Sequence, residues 1–229
     1  MLRIVMYLSM ALSLQTMAQL SDSFSDGNLS RNPTWVGDTA LYKVNSGILH
    51  LSAPPVSGKA WISTFSKAIY GSQWEFSVQL DFNPSSSNYA KIFLGADRAD
   101  LSAALNGYYV LIGNTTDEVS LYRQTGTSAT KIIDGRNGIL DLSLIRMNIR
   151  ITTDENSQWT LFTKLENDEN WTQEGTVRDD VHKQIVSFGI MCVYTSTRAD
   201  KFHFDDIQVK GASWPDREPP RLIASEIRS

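Results

Sequence analysis

The chain of 229 residues is long enough for one large β-sandwich or two small domains. Hydrophobic residues make up 41% of it and charged residues 20%, so the chain can bury a core and extensive disorder is excluded. The formal net charge is −4, and no Lys/Arg cluster stands out, which argues against nucleic acid and anionic membranes as partners.

Residues 1–18 have the pattern of a secretory signal peptide. Arg3 supplies the positive charge, residues 4–14 form an apolar run, and Thr16 and Ala18 place small residues before a cleavage site. The run is shorter than the roughly 20 residues of a transmembrane helix, so we expect no membrane insertion after cleavage. No cysteine directly follows the site to carry a lipid anchor. The alternative is a buried N-terminal helix, but the pattern predicts export to the periplasm, cell surface or extracellular space.

Alternation of apolar and polar residues with a period of two predicts β-strands along most of the chain. Residues 74–82 and 145–151 alternate in this way, and the second segment predicts a hairpin with a partner strand that begins near Trp159. Residues 42–51 predict another hairpin with a Gly turn. Helical character is confined to residues 97–105, which predict at most one short helix, of about two turns. Further strands are predicted at 61–66, 90–95, 107–113, 118–123, 185–194 and 201–210.

About nine to twelve short strands without long helices predict an all-β sandwich or barrel, which we place at residues 19–211. The run 185–194 is apolar on both faces and is therefore predicted to be a central strand. It contains Cys192, the only cysteine, which its apolar neighbours predict to be a small core residue. Residues 212–229 begin as a Pro-rich linker and end like the first strand of a following domain, so we expect the protein to continue.

The sequence shows no pattern that predicts catalysis. A glycoside hydrolase on this architecture needs two carboxylates across a cleft, and no strand carries a Glu-x-Asp-x-Glu series. His50, His182 and His203 lack metal-ligand spacing to one another, to Cys or to an acid. No Gly-x-Ser-x-Gly nucleophile elbow is present. We therefore expect a protein that is not an enzyme, with a glycoside hydrolase or lyase as the minor alternative.

The last strand predicts a β-bulge and, beside it, a possible calcium site. Phe204 and Ile207 are both core residues by pattern, so the alternation slips by one residue at Asp205 and Asp206. Ca²⁺ prefers carboxylate and carbonyl oxygens, and Asp26 lies near the mature N-terminus. One hypothesis is therefore a structural calcium site formed by Asp26, Asp205 and Asp206. The alternative is a bulge with solvated or hydrogen-bonded aspartates.

Aromatic residues with polar neighbours predict a candidate ligand site. Sugar rings stack on flat aromatic faces, and adjacent polar groups hold the hydroxyls. We select Tyr109, Tyr122, Arg123 and Trp171 as the ligand-binding candidates. The alternative is that these rings belong to the core, as most Trp and Tyr residues of a sandwich do.

Four segments together resemble the concanavalin A-like, laminin-G-like superfamily: 23–27 (SFSDG), 44–51 (VNSGILHL), the hairpin around 153–159, and 202–209 (FHFDDIQV). The likeness spans residues 22–211. More narrowly, the chain looks like the N-terminal module of exported bacterial proteins that continue into immunoglobulin-like and lamin-tail domains.

The resemblance implies a jelly-roll sandwich of two antiparallel sheets, and in some members a structural Ca²⁺. It also implies recognition of carbohydrate or of a cell-surface protein as a class. It does not imply an activity, because this fold hosts lectins, hydrolases and spacers alike. We therefore predict a non-catalytic binding module. The alternative is a structural or adhesive spacer in a larger envelope protein.

Overall fold

The computed structural model describes residues 18–215, so residues 1–17 of the predicted signal peptide (1–18) and the tail from residue 216 lie outside the described residues. Within that range the chain forms fifteen β-strands, one 3₁₀ turn at Thr39–Leu41 and no α-helix. No helix of this part is long and apolar enough to cross a bilayer. In chain order the strands are β1 (Ala18–Asp22), β2 (Val36–Gly37), β3 (Tyr42–Asn45), β4 (Ile48–Leu51), β5 (Gly58–Phe65), β6 (Tyr70–Leu80), β7 (Tyr89–Ala96), β8 (Leu105–Gly113), β9 (Glu118–Gly126), β10 (Ser128–Ile133), β11 (Ile145–Thr153), β12 (Gln158–Leu165), β13 (Thr172–Arg178), β14 (Ser187–Tyr194) and β15 (Phe202–Ala212).

The strands form two antiparallel sheets that pack face to face. The eight-stranded sheet runs β13-β12-β11-β6-β15-β4-β3, and β1 also pairs with β15. The seven-stranded sheet runs β10-β9-β8-β7-β14-β5-β2. The predicted all-β, two-sheet jelly-roll sandwich is therefore confirmed. Strand β14 lies between β7 and β5, which confirms that the doubly apolar run is internal to its sheet.

The core lies between the sheets and follows from the period-two alternation. Trp74, Phe76, Val78 and Leu80 of β6 are all buried, while the residues between them are partly exposed. Trp74 stacks on Trp159 of β12, with ring centroids 5.5 Å apart and planes inclined by 12°. Aromatic burial of this kind supplies a large part of the apolar area that a sandwich removes from water.

Cys192 faces this core and is fully buried, as predicted. The Tyr42 hydroxyl lies 3.6 Å from its Sγ atom. Burial raises the pKa of the Cys192 thiol to about 12, so the group stays a neutral thiol at physiological pH.

The helix expected over residues 97–105 does not form, and this prediction was wrong. The segment is a turn that folds against the outside of the seven-stranded sheet. The carbonyls of Arg98 and Ala99 accept hydrogen bonds from the hydroxyls of Ser187 at 2.6 Å and Ser63 at 2.8 Å. These carbonyls are thus bound to the sheet instead of to a helical backbone. Leu101 is buried against the same surface, which explains its apolar character without a helix.

The bulge predicted in β15 is confirmed. Asp205 pairs with Ser77 and Gln208 pairs with Glu75, so two residues of β15 face one residue of β6. Asp206 has a φ of 50°, in the left-handed region that a bulge residue can adopt. The shift allows Phe204 and Ile207 both to face the core.

Pairing of β1 with β15 joins the two ends of the domain. Asp22, the last residue of β1, holds the chain that follows this strand through its hydrogen bonds. The carboxylate of Asp22 is buried and accepts hydrogen bonds from the Trp35 indole N–H and from the Phe24 backbone N–H, both at 2.8 Å. Burial raises the pKa of this carboxyl group, and the two donors oppose that effect. Asp22 therefore connects the first strand to the loop that carries the buried Trp35.

We expect Asp22→Ala to lower the free energy of unfolding by about 2–4 kcal/mol, because it leaves two buried N–H donors without an acceptor. Urea denaturation followed by tryptophan fluorescence measures the change. The matched control is Asp26→Ala, an exposed residue of the same loop, for which a change of only about 0.5 kcal/mol is expected. Equal effects of the two substitutions would contradict the role of Asp22.

Candidate functional site

The outer face of the seven-stranded sheet is apolar, which is unusual for the outside of a sandwich. A second cluster of buried residues lies there, separate from the core between the sheets. Strand register brings Trp61, Met191, Lys91 and Leu111 side by side across four neighbouring strands. The members of the cluster are Phe93, Ala96, Leu101, Leu105, Tyr109, Leu111 and Met191.

Three aromatic residues at the edge of this cluster remain partly exposed: Trp61, Tyr89 and Tyr122. We use the term aromatic face for the surface formed by these three residues with Tyr109 and Lys91. Partly exposed rings on one sheet surface are the groups on which sugar rings stack. The aromatic face therefore has the chemical character of a binding platform for a ligand with both apolar and hydroxylated surfaces.

Tyr109 is the centre of the aromatic face, although it is only 3% exposed. Its ring stacks on Tyr122, directly opposite on β9, at a centroid distance of 5.2 Å and an interplanar angle of 2°. On its other side lies Phe93 at 5.3 Å. Tyr109 thus supports Tyr122 and is itself mostly covered, so that Tyr122 presents the accessible ring. Burial, with Tyr122 and Tyr89 nearby, raises the pKa of Tyr109.

Lys91 adds a cationic donor to the aromatic face. Its Nζ atom lies 4.4 Å from the centroid of the Tyr109 ring, a cation–π distance. Burial lowers the pKa of Lys91, and the nearby Lys59 lowers it further. No carboxylate within the described residues forms an ion pair with Lys91. Its N–H groups can therefore donate to hydroxyls of a ligand that lies on the rings.

Arg123 does not share this surface with its neighbour Tyr122. It pairs with Tyr108 across β8 and β9 and so points to the inner side of the sheet. There it forms an ion pair with Asp179, which is 5% exposed and also accepts a 2.6 Å hydrogen bond from the Tyr108 hydroxyl. The Trp159 indole N–H donates to the carbonyl of Asp179 at 2.9 Å. This network connects the two sheets at one end of the sandwich, which is a structural role.

Trp171 lies on the opposite side of the molecule from the aromatic face. It precedes β13 of the eight-stranded sheet, and the Arg150 guanidinium carbon lies 4.1 Å from its ring centroid. Arg150 in turn donates to Glu75 at 2.8 Å. The structure therefore brings Tyr109 and Tyr122 together but places Arg123 and Trp171 elsewhere.

The eight-stranded sheet carries a polar groove of about 310 Å³ on its outer face. We call this the polar groove, and two rows of side chains run across it. Strand register defines the first row as Lys164, Asn148, Ser77 and Asp205. The second row runs parallel to it and consists of Glu166, Arg146, Gln79 and His203.

Histidines close one end of the polar groove. The rings of His50 and His203 stack with centroids 4.6 Å apart and planes inclined by 7°. His203 Nε2 lies 3.2 Å from Asp81, and His50 Nε2 lies 2.9 Å from the carbonyl of Asp200. Burial lowers the pKa of His203 below its ordinary value; His50 and Lys201 act in the same direction and Asp81 opposes them.

The three aspartates proposed for calcium do not form a ligand set in the described residues. Within residues 18–215 no group of three or more His, Cys, Asp or Glu side chains is arranged to hold a metal. Asp26 is exposed and accepts a hydrogen bond from the backbone N–H of Asn28. Asp205 accepts one from the backbone N–H of Asp206 at 2.7 Å. Burial raises the pKa of Asp205, and the carboxylates of Asp206 and Asp22 add to this effect. Ca²⁺ takes six to eight oxygens, including backbone carbonyls and water, so a structural calcium at these residues stays a prediction.

Trp61 and Lys91 were not among the site residues predicted from sequence. The sequence of β7 did carry a signal for Lys91. Ala90 and Ile92 are buried on one face of the strand, while the other face, to which Lys91 belongs by alternation, carries the aromatic residues Tyr89 and Phe93. A strand with apolar residues on both faces buries or presents an apolar surface on each side of its sheet. Trp61 had no such local signal, because its neighbours on the surface come from β14 and β7.

The sequence matches no protein-family profile and no curated protein. Solved structures nevertheless share the fold. The VIP36 exoplasmic/lumenal domain in its Ca²⁺/Man-bound form is similar with a TM-score of 0.65 and 12% identity, over 87% of this chain and 93% of that one. The Emp46p carbohydrate recognition domain gives 0.59 and 12%, over 87% and 100% of the two chains. Carbohydrate binding module CBM66 from Bacillus subtilis gives 0.54 and 12%, over 77% and 95%.

These likenesses define the fold as a concanavalin A-like β-sandwich, as the sequence resemblance implied. Each covers most of the described domain, so the fold of the neighbours extends across both sheets. The continuation into lamin-tail and immunoglobulin-like domains stays a prediction.

We expect Arg123→Gln to lower the free energy of unfolding by about 2–4 kcal/mol, because the buried carboxylate of Asp179 loses its cation. Guanidinium denaturation measures this. The matched control is Arg98→Gln, whose ion pair with Asp97 is exposed and should contribute less than about 1 kcal/mol. A mild effect of Arg123→Gln together with weakened ligand binding would instead place Arg123 in a binding site.

We expect acid to destabilise the protein through His203. Because its pKa is lower in the folded state than its ordinary value of 6.5, the unfolded chain binds the proton first and stability falls as pH decreases through this window. Urea midpoints at about pH 7.5 and about pH 5.5 measure the change, and the decrease should be smaller in His203→Gln than in the wild type. An identical pH dependence in the two proteins would contradict this role.

Proposed function

We propose that this chain is an exported, non-catalytic carbohydrate-binding module whose ligand lies on the aromatic face. One observation carries the proposal: three partly exposed rings, Trp61, Tyr89 and Tyr122, share the outer surface of one sheet. A spacer domain does not need an apolar outer surface, since the outside of a sandwich is normally polar.

The chemistry of the aromatic face suits a sugar ring. The apolar C–H surface of the sugar stacks on Tyr122, whose other face is stacked on Tyr109 of the neighbouring strand. The hydroxyl groups of the sugar accept from Lys91 and exchange hydrogen bonds with the tyrosine hydroxyls. Because Tyr109 and Tyr122 are packed against each other, Tyr122 loses little side-chain freedom when a ligand binds.

The structural neighbours support this choice of ligand class. VIP36 has the fold in a Ca²⁺/Man-bound form, and CBM66 is a carbohydrate binding module. The signal-peptide pattern supports export, and the Pro-rich tail supports a place at the N-terminus of a larger envelope protein. Structural calcium at Asp26, Asp205 and Asp206 stays a prediction.

The first test is a glycan array with the purified protein, run in calcium and again in chelator. For a glycan that binds, Trp61→Ala and Tyr122→Ala should each weaken affinity at least about tenfold, or about 1.4 kcal/mol, because each removes a stacking surface. Isothermal titration calorimetry measures the affinity. The matched control is Trp214→Ala, a half-buried indole packed on Tyr70 and Lys183 away from the aromatic face, which should leave affinity unchanged.

Two results would decide against the proposal. Absence of glycan binding in both conditions would favour a surface-protein partner or a structural spacer. Binding that survives the Trp61 and Tyr122 substitutions would move the site away from the aromatic face. Loss of binding in chelator would support the calcium prediction independently of which face binds.

A further inference from the structure

The polar groove on the eight-stranded sheet has two rows that differ in how their polar groups are used. In the second row, Arg146 donates to Gln79 at 3.0 Å and to Glu166 at 3.3 Å. Gln79 in turn donates to Asp81 at 2.8 Å, and Asp81 meets His203. Apart from one guanidinium nitrogen of Arg146, the side chains of this row bind one another, and the row forms one wall of the groove.

The first row is different, because several of its polar groups have no hydrogen-bond partner in the described residues. Ser77 donates to the Asn148 side-chain oxygen at 2.7 Å, so the two N–H groups of the Asn148 amide point to other partners. Within residues 18–215 no side chain or backbone group accepts from them, and Lys164 has neither an ion pair nor a hydrogen bond. Lys164 sits directly opposite Asn148 across β12 and β11.

The unpartnered groups of Lys164 and Asn148 are all hydrogen-bond donors, and they lie together at the β12 end of the row. Opposite residues of antiparallel strands have Cβ atoms about 5 Å apart, so the ammonium of Lys164 and the amide of Asn148 can reach one acceptor group. The second row adds Arg146, whose remaining guanidinium nitrogen has no partner in the described residues. Three converging donors, two of them charged, are the complement of a carboxylate.

The other end of the first row offers an acceptor. Asp205 lies on β15, three strands from Lys164, or about 14 Å between backbones, which is too far for the two side chains to form an ion pair. One oxygen of Asp205 accepts from its own bulge. The second oxygen has no partner in the described residues, and Asp205 lines the groove, so this oxygen is available as an acceptor for hydroxyl groups. Ile48, partly exposed at 38%, adds an apolar wall to this end.

We propose that the polar groove is a second ligand site, specific for an acidic glycan that contains a uronic acid. The carboxylate of the uronate lies between Lys164, Asn148 and Arg146, and hydroxyl groups further along the sugar donate to Asp205. The groove volume of about 310 Å³ is at the lower end of small-molecule sites, which suits one or two sugar units. This site is independent of the aromatic face, which lies on the other sheet.

The test is calorimetric titration with short uronate oligosaccharides, namely oligogalacturonate, oligomannuronate and oligoglucuronate-containing chains. Each is paired with its methyl ester, which has the same shape and hydroxyl groups but no charge. We expect one of the acids to bind, its ester to bind at least about tenfold more weakly, and the affinity to fall with added salt.

Lys164→Gln should weaken binding of the acid about tenfold and leave the ester unchanged, whereas Lys164→Arg should retain binding because it keeps the charge. The matched control is Lys43→Gln, an exposed lysine on the same sheet that pairs with His50, beyond the groove. It should not change the affinity. Thermal denaturation of each variant verifies that the fold is retained, as expected for a surface position.

The outcomes separate this site from the aromatic face. Uronate binding that is lost in Lys164→Gln and retained in Trp61→Ala supports the groove, whatever the result for neutral glycans. Uronate binding that is lost in Trp61→Ala and retained in Lys164→Gln overturns it and assigns the acid to the aromatic face. Absence of binding to all three acids, or equal binding of acid and ester, also overturns it.

Discussion

Every feature of this domain depends on the alternation of side chains along antiparallel strands. A strand sends successive residues to opposite faces of its sheet, so each of the two sheets has an inner and an outer surface. The inner surfaces must be apolar to form the core, which leaves the outer surfaces available for other roles. In this protein the two outer surfaces have opposite characters: the seven-stranded sheet is aromatic, and the eight-stranded sheet is polar.

In β15, strict alternation would fail between Phe204 and Ile207, and the bulge at Asp206 corrects it. Without the extra residue, Phe204 and Ile207 would face opposite sides of β15. The bulge returns Ile207 to the core. Asp205 directly precedes the bulge, faces outward beside Ser77 by the regular alternation from Phe204, and lines the polar groove. The bulge and the groove are therefore neighbours on β15.

Much of the architecture could be predicted from sequence, because it depends on local patterns. The alternation in residues 74–82 and 145–151, the hairpin at 42–51 and the bulge each leave a signal within about ten residues. The helix predicted over 97–105 failed for a non-local reason: Ser63 and Ser187 take its carbonyls, and neither lies near it in sequence. Hydrogen bonds from distant side chains override a weak local propensity.

The same distinction applies to the candidate sites. Tyr109 and Tyr122 belong to consecutive strands, so a turn centred between them predicts that they pair. Arg123 could not be assigned in this way, because its partner Asp179 is 56 residues away in sequence. Trp61 and Lys91 meet only through β14, which lies about a hundred residues further along the chain from Lys91. To predict a site whose residues come from strands far apart in sequence, one must know the register of the whole sheet. Amino-acid composition does not give that register.

Placement of the two proposed sites on opposite faces decides how they can act together. The sheets of a sandwich are about 10 Å apart, and the core between them is filled with side chains. One short oligosaccharide therefore cannot occupy both faces at once, so the second site adds no avidity for a single short ligand. If both proposed sites hold ligand, two separate glycan chains would bind simultaneously, one neutral on the aromatic face and one acidic in the polar groove. A module of that kind would connect two polymers, which would unite the binding role and the adhesive role that the sequence left as alternatives.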